Sequence, residues 1–129
     1  MENNNPLAEL YTSSGPVDIN EIAGSLKRFV AIQSGTEKIF LKEEGTHLTA
    51  EKKVLAYALI KKMLKELNKK DKSSISATEI EAEIGLKRGT IDPTFKTLKE
   101  KGALIKTSDG FEIPNFVIKK IIEEFKKIK

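Results

Sequence analysis

The side chains of this chain best suited to chemistry are cations, and they gather in one stretch, KRGTIDPTFKTLKEKGALIK, residues 87–106. Lys87, Arg88, Lys96, Lys99, Lys101 and Lys106 set six positive charges there against the two negative ones of Asp92 and Glu100. Ammonium and guanidinium groups at that density suit a polyanion, because each can neutralise a phosphate and release a condensed counterion. Thr90 and Thr97 add hydroxyls able to donate to phosphate oxygen. The same lysines would also solvate an exposed helix, so charge alone leaves both readings open. The net charge of +4 hides an asymmetry: residues 1–50 hold four basic and seven acidic side chains, residues 51–129 nineteen and twelve.

Groups able to do covalent or metal chemistry are sparse. Without cysteine there is no disulfide framework and no thiolate ligand. His47 is the one histidine, and a structural zinc normally takes four Cys or His ligands. GTEK at 35–38 has neither the glycine lead nor the GK[ST] ending of a phosphate loop. A Ser–His–acid triad would have to use His47, which sits in the polar run EEGTHLT. Adjacent Glu43 and Glu44 read as a solvated turn. Tyr11, Tyr57 and the six phenylalanines form no stacking array of the kind single-strand binders use. The expectation is a non-enzyme with no cofactor and no metal. The start, MENNNPLAEL, has no secretory pattern and no run is long enough to span a bilayer, so the expected address is cytoplasmic, with no membrane partner.

The elements that must position these cations follow from periodicity and cap chemistry. Residues 1–16 read as a flexible arm. Asp18 caps a helix, with Glu21 three residues on and Val17 set to pack on Ile22. Ile19, Ile22, Ala23, Leu26, Phe29 and Val30 share a face, which predicts a helix reaching Ser34–Gly35. KIFLKEEG then suggests a short edge strand with Ile39 and Leu41 on one side, and 17–48 is expected as a helical extension. Thr49 caps a central helix with two apolar rows: Leu55, Leu59 and Met63, beside Ala56, Ile60, Leu64 and Leu67. After the polar loop 68–74, Ser76 and Glu79 form a capping box and Gly85 a stop.

Ile91, Phe95 and Leu98 give the next helix a buried face, leaving Asp92, Pro93, Lys96 and Thr97 outward or flanking. With Thr90 as its cap, Pro93 becomes the third helical residue, where no amide is needed, and Asp92 meets the positive end of the dipole. ALIKTSDGFEIP predicts a hairpin around Asp109–Gly110. Residues 114–129 close the chain as a helix with Phe116 or Val117, Ile118, Ile121, Ile122, Phe125 and Ile128 in its stripe. That stripe packs either on its own domain or on a second copy.

Gly89, Thr90, Ile91, Pro93, Phe95, Leu98 and Gly102 together resemble the recognition-helix region of PadR-type transcriptional regulators. More broadly, residues 50–113 resemble the winged helix-turn-helix superfamily. The resemblance implies a mainly α (α+β) fold: a winged-helix core over 49–113 with a two-stranded wing, the N-terminal extension and a C-terminal helix. It implies a dimeric regulator that places residues 89–101 in the major groove of double-stranded DNA. Arg88, Thr90 and Lys96 would then be the contacts, with Thr97 beside them and Lys87, Lys99 and Lys106 on phosphates. The chain departs from the family at Asp92, which stands where a tyrosine commonly faces DNA and would repel phosphate. The tip Thr107–Gly110 is short and acidic. Those departures, with the acidic first 50 residues, suit the alternative of a protein-interaction module in a larger assembly.

Overall fold

The computed structural model describes residues 18–128, so the expected arm and the Val17 contact lie outside the described residues. Helix α1 (Ile19–Leu26) begins as its cap dictates, the Asp18 carboxylate accepting from the Glu21 amide at 3.0 Å. The Glu21 side chain faces the Lys126 ammonium, at 4.0 Å. The helix then ends well short of Ser34–Gly35. Strands β1 (Val30–Gln33) and β2 (Lys38–Leu41) follow as an antiparallel hairpin with Val30 opposite Leu41. The extension is therefore helix plus hairpin, not helical throughout. Phe29 and Val30 are buried as expected, but a short apolar run satisfies helical and strand spacing alike. On β2, Ile39 is buried and Leu41 half-buried, as alternation predicts. A single turn, α2 (Glu43–Thr46), carries Glu44 to an ion pair with Arg28.

Helix α3 (Ala50–Glu66) is the axis of the fold. The Thr49 hydroxyl accepts from the Lys52 amide at 3.2 Å, and every residue from Val54 to Leu64 is buried. Leu67, counted in one apolar row, lies past the end of the helix and is exposed. Two of the buried side chains are charged: Lys61 and Lys62 are 4% and 6% exposed. Lys61 pairs with Glu79, and Lys62 meets Glu112 at 2.9 Å. A desolvated ammonium is tolerated only with such a partner. Tyr57, also on α3, donates its hydroxyl to Glu83, whose other oxygen accepts from the Ile39 amide at 3.0 Å. Burial, then the hydrogen bond to Glu83 and the charges of Glu83 and Glu79, push ionisation of the phenol far above its ordinary range.

Helix α4 (Ala77–Ile84) carries the expected capping box, and Gly85 ends it at φ +73°. Helix α5 (Arg88–Glu100) leads to the hairpin of β3 (Ile105–Lys106) and β4 (Phe111–Glu112), in which Ile105 faces Glu112. Ile75 pairs with Phe111 on the hairpin's other side through amides at 2.6 and 2.9 Å. A short 3₁₀ turn, Asn115–Val117, opens the final helix α6 (Ile118–Lys126). Its stripe of Ile118, Ile121, Ile122 and Phe125 is buried in its own chain, where α6 packs on α1 and the Phe125 ring lies 5.9 Å from that of Phe29. Of the two ways to cover that stripe, the intramolecular one holds.

The described residues are thus a mixed α+β structure of six helices and two antiparallel hairpins, built round one apolar cluster. Among them, no helix is long and apolar enough to cross a membrane.

Two glycines separate conformational from steric need. A Cβ on Gly85 would meet nothing within 4 Å, so Gly85→Ala costs only the left-handed backbone, about 1 kcal/mol. A Cβ on Gly110 would lie 2.1 Å from the Ile75 carbonyl oxygen and force the hairpin off its neighbour. Gly110→Ala should cost about 3 kcal/mol by urea denaturation. Equal midpoints for the two variants would show that the Ile75–hairpin contact yields freely.

Candidate nucleic-acid interface

The cationic stretch begins where α4 stops. Lys87 is extended (φ −78°, ψ 148°), and its carbonyl accepts from the amides of Thr90 and Ile91, each at 2.9 Å. The helix therefore starts at Arg88 and not after a Thr90 cap, and Pro93 is its sixth residue instead of its third. Local sequence accommodates the proline in that second turn. Its ring faces the carbonyl of Gly89, a residue with no side chain and exposed to solvent, where water can take the place of the missing amide. The Thr94 hydroxyl donates to the Thr90 carbonyl at 2.7 Å, which ties the same turn together. Asp92 also moves to the second turn, where the dipole of the helix start no longer favours it.

Ile91, Thr94, Phe95 and Leu98 form the buried face of α5. At about 100° per residue, Gly89, Pro93, Lys96 and Glu100 run along the opposite, solvent side. Arg88, Asp92 and Lys99 flank that line on one side, Thr90 and Thr97 on the other. Lys87, Arg88, Thr90, Lys96 and Lys99 are all exposed, whereas Thr97 is half-buried. Arg88 reaches across to α4, donating to the Thr78 hydroxyl at 2.9 Å. Sequence patterning did not mark Thr78 as a partner; its place just inside the Ser76 cap, facing the next helix across the turn, is the only cue.

The hairpin is coupled to this helix by aromatic packing. The Phe111 ring of β4 lies on the Phe95 ring of α5, centroids 4.4 Å apart, and the Lys106 ammonium sits 5.0 Å over the same Phe111. Lys106 is thereby held on β3 beside the helix that carries the other cations. At the tip, Asp109 faces Lys72 at 3.6 Å, an exposed pair of small energetic value.

Ion pairs engage some of the lysines and arginines and leave others without a carboxylate partner among the described residues, as Arg28, paired with Glu44, and the unpaired Lys120 illustrate. Lys52, Lys61, Lys62, Lys72, Lys101 and Lys126 each have a carboxylate partner. Lys87, Arg88, Lys96, Lys99 and Lys106 have none among the described residues. Asp92 and Glu100, on the same surface, are likewise unpaired. His47 is exposed, at the end of α2.

Glu112 anchors the hairpin to α3. Burial alone would raise its carboxyl, but hydrogen bonds donated by Lys62 at 2.9 Å and Ser73 at 2.8 Å, with the Lys62 charge, hold it below the ordinary value of 4.5. A carboxyl depressed in the folded state stabilises at neutral pH and loses that contribution as pH falls through its lowered value. Glu112→Gln should therefore destabilise at pH 7 in urea melts, and the gap to the parent protein should close as pH is taken below about 4.5. A gap unchanged down to pH 3 would mean the carboxylate is not the anchoring form.

Comparison of the chain with models of protein families, with curated proteins and with solved structures finds no match.

Proposed function

We propose that this protein is a winged-helix DNA-binding regulator that sets α5 in the major groove of a duplex and the β3–β4 hairpin beside it as a short wing. One observation carries the reading: five cations without carboxylate partners, Lys87, Arg88, Lys96, Lys99 and Lys106, stand together at the start and outer side of α5 and on the strand that the Phe95–Phe111 contact holds beside it. An ammonium already paired gains little from a phosphate; an unpaired one releases a counterion in full. The order of elements supports it as well, with α3, the Ile75 pairing, α4, α5 and the hairpin in winged-helix succession. Arg88 and Lys96 are the base-proximal candidates, Thr90 and Thr97 flank them, and Lys87, Lys99 and Lys106 serve phosphates. Two copies on two half-sites would suit this role. A second copy would have to meet a surface other than the buried stripe of α6. The reading carries a cytoplasmic address with it.

Asp92 and Glu100 favour a second reading, in which the same face docks on a protein carrying both charge signs. The two part on salt. With four phosphates neutralised, affinity for a random duplex should fall about a hundredfold between 50 and 200 mM salt. Fluorescence anisotropy of the full chain measures it directly. Arg88→Glu with Lys96→Glu should abolish that binding while leaving the urea midpoint within about 1 kcal/mol of the parent. A folded double variant with unchanged duplex affinity, or no duplex binding at either salt, would transfer the face to a protein partner.

A further inference from the structure

A groove of about 630 Å³ opens between the start of α3, the end of α5 with the turn after it, and α6. Its size lies within the range of small-molecule sites, about 300–1,000 Å³. Leu55, Leu98 and Ile121, all buried, line it together with the half-buried Ala103 and Val117. The rim is charged but uneven. Lys52 pairs with Glu124, and Lys101 with Glu51 at 2.7 Å, so both acids are engaged. Lys120, the third rim lysine, is exposed and has no acidic partner among the described residues. An apolar trough with one uncompensated ammonium at its edge complements a molecule with an apolar body and a negative head.

We infer that this groove binds a free medium-chain carboxylate, its alkyl chain along Leu55, Leu98 and Ile121 and its head group at Lys120. A neutral amphiphile would gain no attraction from the ammonium, and a cationic one would be repelled by it. The site is separate from the unpaired cations of α5, so duplex binding and ligand binding are tested independently.

Titration of the full chain with decanoate, below its micelle concentration, followed by amide chemical shifts, decides the matter. Saturable one-to-one shifts centred on Leu55, Ala103 and Ile121 are expected, with a dissociation constant on the order of 0.1 mM. Lys120→Glu, a surface change that leaves the fold intact, should weaken binding about fivefold or more. Ala103→Phe should remove it by filling the trough, and Lys69→Glu, on a distant loop, should leave it unchanged. Decyltrimethylammonium should bind about tenfold more weakly than decanoate. Shifts centred elsewhere, equal affinity for the two head groups, or indifference to Lys120→Glu would overturn the assignment. So would sedimentation showing a dimer that Ala103→Phe breaks, since a second copy would then occupy the groove.

Discussion

The fold depends on the desolvation of α3. Eleven consecutive residues, Val54 to Leu64, lose contact with water, and the helix cannot present Lys61 and Lys62 to solvent on any face. Two adjacent ammonium groups point about 100° apart round the helix, so one carboxylate cannot serve both. The chain supplies two, from separate elements: Glu79 at the start of α4 and Glu112 on β4. A buried ammonium left alone costs several kcal/mol. That penalty fixes where α4 begins and where the hairpin lies more narrowly than apolar packing, which tolerates sliding. Tyr57 adds a third polar tie through Glu83 to the amide of Ile39, which seats the N-terminal hairpin against α4.

What reaches the surface follows from what is fixed beneath it. α5 packs on α3 and α4, and its Phe95 lies against the Phe111 ring, so the helix and the hairpin are packed together. The exposed cations of α5 therefore stand on a packed support, while Glu79 and Glu112 are engaged by Lys61 and Lys62.

Local chemistry was legible in the residues. Asp18, Thr49 and the Ser76–Glu79 box cap as written, Gly85 stops α4, and Asp109–Gly110 closes a hairpin. Each is a short-range rule with few competing solutions. The errors came where two periods fit the same residues, as at Phe29–Val30, or where a start signal had a neighbour of equal merit, as at Thr90 against Lys87. The burial of Lys61 and Lys62 was invisible for another reason: a lysine's type points outward, and only tertiary partners reverse it. For the site, the residues named on α5 and β3 prove exposed apart from the half-buried Thr97. Their lack of carboxylate partners is a three-dimensional fact that no spacing encodes.

Glu79 has two oxygens and uses them in different worlds. One accepts from the Ser76 amide at 3.1 Å and from its hydroxyl at 3.2 Å, closing the first turn of α4; the other holds Lys61. Glutamine would serve the cap alone equally well, yet it would strip the charge from the pair. Helix initiation in α4 is thereby wired to a side chain in the middle of α3. The two helices form one cooperative unit: the cap is complete only when the core is assembled, and a local opening at Ser76 uncovers a charge in the interior.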